Sequence, residues 1–348
     1  MQSAGGFLPT IYVSSFINLG DTRLQAQNSN PTLLGGQAVI EGVMMRFGGS
    51  VATAVRRADG TIAVKKEKYT PLAERHTWLT LPILRGAVGL VEMLGIGVRA
   101  LNYSAEVALL DAEPQRTRDS EGRRSVALGL TVAISLVAGV ALFFVAPLYI
   151  ATEAFTVDQQ PLLFNLLAGG IRVVIFISYL LFLSMMKDVN RLFQYHGAEH
   201  KTVFAMEKGR GLAIASCRTQ SRFHPRCGTS FLLVVLVVAI VLFAVLDGFV
   251  IAQFGPLTLG VRLLTHLPLI PLVMGVAYEF IRFSARHSTS VFGRLVIAPG
   301  LWLQRITTRE PDNAQLEVAI AALRAALRNE PTEEAIEQVV TGQAISVN

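Results

Sequence analysis

The chain has 348 residues, of which 52% are hydrophobic and 16% charged, with a formal net charge of +6. Its mean hydropathy is +0.48. Soluble domains carry roughly 25% charged residues, so this composition excludes an ordinary soluble protein and points to an integral membrane protein. The positive balance does not imply nucleic acid. The basic residues are spread through the connections beside apolar segments, where they suit an anionic bilayer surface and the control of topology. Cys217 and Cys227 share one polar loop and imply no disulfide framework.

Residues 1–33 read as a flexible leader. They lack the basic start and long apolar core of a secretory signal. Residues 34–77 read as a small β-containing unit. Ala38-Val39-Ile40 and Val43-Met44-Met45 are extended runs broken by glycines, and Asp59-Gly60 stands between two further extended runs as a hairpin signal. Glu41 is alone in an apolar, glycine-rich setting and is expected to end a strand paired with an arginine. Residues 78–124 read as an interfacial helix followed by a charged linker. Arg85, Glu92 and Arg99 recur every seven residues on one helix face, which argues against a spanning segment.

Residues 125–303 read as a transmembrane domain of four α-helical spans. Residues 126–151 carry no charge and are long enough to cross a bilayer, which takes about 20 residues. Residues 161–186 hold one charge, Arg172. Residues 229–253 are interrupted late by Asp247-Gly248. The fourth, 262–283, holds His266, Pro268, Pro271 and Glu279, and is expected to be kinked or partly re-entrant. The connections 152–160 and 254–261 contain no Lys or Arg, whereas the loop 187–228 and both flanking regions are rich in them. The positive-inside rule therefore puts both termini, and the loop 187–228, in the cytoplasm of a plasma-membrane protein. The tail, 304–348, reads as cytoplasmic amphipathic helices. Leu316, Ile320, Leu323 and Leu327 form one stripe, expected to pack on the protein's own cytoplasmic part, and Ile336 and Val340 mark a second short helix.

Most of the chemistry lies in the loop 187–228. His196-Gly197-Ala198-Glu199-His200 is an H-x-x-E-H run. On a helix, residues four apart share a face, so His196 and His200 can grip one divalent metal ion, zinc in the first instance. Glu199 beside them suits a general base toward a metal-activated water, which is the inverted zinc-hydrolase pattern. His224 and Cys227 have H-x-x-C spacing. With His196 and His200 they would close a tetrahedral, structural set, whereas a vacant place among them would leave a catalytic site. A second arrangement completes the site with the distant carboxylate of Glu279. A third leaves no metal: the histidines and Glu199 form a hydrogen-bonded cluster while Arg222 and Arg226 face lipid phosphates. No P-loop, G-x-S-x-G or H-E-x-x-H run occurs.

Several longer runs resemble the bacterial YqhQ-like family. The run 35–46 (Gly-Gly-Gln-Ala-Val-Ile-Glu-Gly-Val-Met-Met-Arg) is similar to its opening. Tyr195 to Lys201 and His224 to Thr229 are similar to its central motifs, and Pro299 to Gln304 and Thr307 to Pro311 to its ending. The likeness extends from about Leu33 to Leu327. That family comprises multi-pass membrane proteins, sometimes described as predicted metal-dependent enzymes. The resemblance thus implies the bilayer and a metal site, and supplies no reaction. The true inverted zinc peptidases are soluble α+β proteins, so the likeness to them is one of local pattern.

Three functions follow as expectations. The first is a metal-dependent hydrolase acting on a membrane-associated substrate at the cytoplasmic face. The second is a scaffold or biogenesis factor whose basic loops bind lipid or a cytosolic partner. The third is a transporter, suggested by Arg172, Asp247 and Glu279 in or near spans, although no inverted repeat supports it.

Overall fold

The computed structural model describes residues 34–112, 121–155, 160–286 and 290–327. The leader 1–33 and the second tail helix at Ile336 and Val340 lie outside the described residues, as does most of the charged linker.

Four strands form an antiparallel meander in sequence order: β1 (Gly35–Val39), β2 (Gly42–Phe47), β3 (Ser50–Arg56) and β4 (Ile62–Lys68). Asp59 makes the expected β3–β4 turn, its carboxylate accepting from the Thr61 amide and hydroxyl. Period-2 alternation then splits the strands between two cores. Val43, Met45, Ala52 and Ala54 point to one face, and Met44, Val51 and Val55 to the other.

The helices follow in chain order. A single turn α1 (Leu72–Arg75) and a 3₁₀ turn (Thr77–Thr80) lead into α2 (Leu84–Ala112). Ile96, Ala100 and Val107 of α2 cover the second sheet face. Two of the heptad charges are paired within the fold: Arg85 with Glu279, and Glu92, which accepts from the Leu72 amide, whereas Arg99 is exposed. The spans come next. The first joins α3 (Glu121–Val140), a π-helical turn (Ala141–Val145) and α4 (Ala146–Ala154). The others are α5 (Pro161–Ser184), α8 (Gly228–Phe254) and α9 (Leu259–Arg286). Four helical segments are long and apolar enough to cross a membrane: Ala133–Ala154, Pro161–Ser184, Gly228–Phe254 and Leu259–Ser284. Of the two expectations for the fourth segment, kinked or partly re-entrant, the re-entrant one is corrected. α9 runs unbroken through Pro268 and Pro271, since neighbouring helices in a bundle tolerate the lost hydrogen bonds.

Between α5 and α8 lie α6 (Lys187–Glu207) and the short α7 (Ile214–Arg218). After α9 come α10 (Val291–Thr307) and α11 (Asn313–Leu327). Leu316, Ile320 and Leu323 of α11 are buried in a core shared with the first sheet face and with Tyr195, Ala198 and Val203 of α6. The tail stripe therefore packs on the β unit. Leu323 is fully buried, so Leu323→Ala is expected to cost about 2–5 kcal/mol, read as a lower midpoint for the β unit in thermal or denaturant unfolding.

Candidate functional site

α6 carries the H-x-x-E-H run as an unbroken helix, so His196 and His200 lie on one face with ring centroids 4.4 Å apart. The N-cap residue of α8, Cys227, faces them. One ligand atom from each of His196, His200 and Cys227 lies within 4.8 Å of the others. His196 Nε2 is 3.2 Å from Cys227 Sγ, which also lies 3.1 Å from Thr229 Oγ1.

Two backbone carbonyls orient the rings. His196 Nδ1 is 2.8 Å from the Thr307 oxygen and His200 Nδ1 is 2.5 Å from the Arg222 oxygen. A carbonyl can only accept, so both Nδ1 atoms carry the proton and both Nε2 atoms of the neutral rings present a lone pair. This is the outer-shell arrangement that holds metal-ligating imidazoles in one tautomer. Thr307 closes α10 and Arg222 precedes α8, so sequence-distant elements meet here.

Glu199 is buried beside the pair, with Oε2 3.4 Å from His200 Nε2. Burial pushes its carboxyl above the ordinary range, against the pull of His196 and His224 and of a hydrogen bond from the Gly36 amide. Gly36 is thus a site residue that the loop motif alone does not reveal. A Cβ there would stand 2.7 Å from both Glu199 Cγ and the Met44 carbonyl oxygen, so β1 approaches Glu199 through bare backbone. The one available signal was the glycine-rich opening itself, which reads as close backbone approach.

The other sequence candidates are placed elsewhere. His224 is buried and its ring is 5.6 Å from that of His200, but both its nitrogens are engaged. Nδ1 accepts from the Arg226 amide at 3.2 Å, and Nε2 lies 3.4 Å from Glu207 Oε2. It stands behind the group of three, and the closed four-ligand set does not form because the turn that carries it aims Nε2 at Glu207. Glu279 is held by Arg85, whose Nε donates to it at 2.6 Å, so α9 delivers no carboxylate to the His196 group. Glu41 meets the expected arginine, Arg191, and accepts from the Tyr195 hydroxyl at 3.1 Å. That clamp holds Glu41 in the left-handed region (φ 51°) at the β1–β2 turn. Arg222 donates to the Thr308 carbonyl and Arg226 pairs with Glu207.

The Glu207 carboxyl is pushed up by desolvation, but its hydrogen bond to His224 and the nearby Arg226 and Lys208 charges outweigh this and hold it below the ordinary range. A carboxylate so depressed stabilises the fold above its unfolded pKa, and that stabilisation is lost as pH falls through the folded value. Glu207→Gln is therefore expected to melt lower than wild type at pH 7, with the gap closing only as the pH falls below the ordinary carboxyl value of 4.5. A gap that stays constant with pH would assign Glu207 a purely steric role.

One sulfur and two nitrogens so grouped match three corners of a tetrahedral metal site, with the fourth open to an exchangeable ligand. No solved structure matches the chain. The "Uncharacterized protein YqhQ" of Bacillus subtilis (strain 168) is 32% identical over 314 residues, covering 87% of this chain and 95% of that protein. The model of the family described as "Protein of unknown function (DUF1385)" matches residues 81–329, a span containing every member of the His196 group but not the Gly36 strand, and the chain belongs to that family.

Proposed function

We propose that His196, His200 and Cys227 hold a divalent metal ion, zinc by the softness of the sulfur and imidazole donors, in a hydrolytic site at the cytoplasmic face of the plasma membrane. The observation that carries this reading is the pair of Nδ1–carbonyl hydrogen bonds, which aims two imidazole lone pairs toward one thiol. A bound ion supplies Lewis acidity toward a substrate carbonyl or phosphoryl oxygen. Glu199 is the general base: it is buried, desolvation raises its pKa above the ordinary carboxylate range, and its oxygen is within reach of the same point. The Gly36 amide fixes its orientation.

The group lies where α6 and α10 meet the start of α8, at the end of the bundle away from the connections 152–160 and 254–261. Those connections lack Lys and Arg, which supports the cytoplasmic assignment for the site and for both termini. A substrate presented by the bilayer fits that placement.

The test is metal content after purification without chelator. Wild type is expected to carry about one equivalent, Cys227→Ser to lose most of it, and Glu199→Gln to retain it. Metal-free wild type, or a Cys227→Ser variant with full metal, would sink the reading.

A further inference from the structure

The buried polar residues of the membrane domain form a second centre, apart from the His196 group. α5, α8 and α9 bury Asn165, Arg172, Asp247, Arg262 and His266, each at most 5% exposed. Asp247 is the only buried carboxylate of these three helices among the described residues, and it is fully engaged. It accepts from Arg262 and from Asn165 Nδ2 at 2.8 Å, and it lies 2.8 Å from His266 Nε2. Arg262 also lies 3.6 Å from the centre of the Phe164 ring. One arginine is thereby neutralised.

Arg172 is not. It stands eleven residues after the start of α5 and twelve before its end, so about 16–18 Å from either end at 1.5 Å per residue. That is the middle of a bilayer core about 30 Å thick, too deep for the stem to carry the charge to water. Its Nε donates to the Phe143 carbonyl at 2.7 Å. Phe143 belongs to the π-helical turn, a local departure from the α-helix that is frequent at functional sites. The Phe144 ring lies 4.9 Å from the guanidinium carbon. Nη2 is buried and has no hydrogen-bond partner among the described residues. With two arginines against one aspartate, the interior of these helices carries an excess positive charge even with His266 neutral. An unpaired guanidinium in hydrocarbon is costly, and such groups mark functional sites.

We propose that the membrane domain binds an oxyanion, a carboxylate or a phosphate, against Arg172. The planar fork of the guanidinium matches two oxygens of such a group, and the Phe144 ring gives it an apolar neighbour. The ligand is either the head of an anionic lipid drawn into the bundle or a small free oxyanion. This inference is independent of the metal reading.

The experiment is native mass spectrometry of the full chain, purified in a neutral detergent and phosphate-free buffer, then titrated with inorganic phosphate, acetate or phosphatidylglycerol. Phosphatidylcholine serves as the neutral control. Wild type is expected to hold one oxyanion per chain, retained or added, in preference to phosphatidylcholine. Arg172→Gln should lower that occupancy at least tenfold, with Arg172→Lys in between and the bound metal unchanged in both. The mass of the bound species separates the sources: a phospholipid adduct means a headgroup, phosphate or acetate a free ion. Wild type that takes up none of the three in preference to phosphatidylcholine overturns the proposal, and this arm stands even if Arg172→Gln does not fold. Equal occupancy in wild type and a folded Arg172→Gln also overturns it.

Discussion

Replacing His200 with alanine is expected to drop the metal content of the purified protein from about one equivalent to less than a tenth, whereas His224→Ala leaves it near one. The difference follows from the rings. His200 has Nδ1 on the Arg222 carbonyl and a ligand atom within 4.8 Å of those of His196 and Cys227, while His224 lies outside that group, with Nδ1 on the Arg226 amide and Nε2 toward Glu207. A ligand bound only by the folded chain stabilises it by about 4 kcal/mol at a thousandfold excess over its Kd. At about 2–4 °C per kcal/mol for a chain of this order, wild type should melt roughly 10 °C above His200→Ala when metal is present. Chelator should erase that gap without moving the variant. A His200→Ala protein that keeps its metal, or a wild type insensitive to chelator, contradicts the ligand assignment.

Gly197→Ala is the second large effect, and two terms compete over its sign. Alanine improves helix propensity by about 1 kcal/mol over glycine, and Gly197 sits in the middle of α6. A Cβ at that position, however, would stand 2.0 Å from the Arg309 carbonyl oxygen and 3.4 Å from Pro311 Cδ. The nearer contact is with backbone, which cannot swing aside. The Arg309 amide is meanwhile bonded to the Phe193 carbonyl at 2.8 Å, so separating the segments also strains that bond. Overpacking of this kind costs about 1–3 kcal/mol and occasionally more. The clash is expected to win, giving net destabilisation of at least about 2 kcal/mol. It should also loosen the metal, because the Thr307 carbonyl that orients His196 lies two residues before Arg309. The check is paired unfolding and metal-affinity measurement. Unchanged or raised stability would show that propensity dominates.

Gly197 illustrates how the two levels divide. As a letter in a helical motif it reads as a small defect in helix propensity. In the fold it is the place where the chain returning from α10 crosses α6. Glu41 shows a milder version: a lone carboxylate calls for an arginine, but nothing local says that Arg191, 150 residues on, will supply it.

Features that depend on neighbours along the chain were legible in the sequence alone. Four apolar stretches of bilayer length, the Asp59-Gly60 hairpin, the α11 stripe and the pairing of His196 with His200 on one face are all periodicities or short spacings. The backbone imposes such patterns before any tertiary contact forms. Only the tertiary structure decided that Cys227 and not His224 joins the two histidines. It also assigned Glu279 to Arg85, set the Gly36 amide on Glu199 and left Arg172 with a nitrogen that has no partner among the described residues. Those outcomes depend on which backbone carbonyls, amides and charges long-range packing brings within 3 Å of a side chain. Such encounters between distant segments leave no period in the sequence.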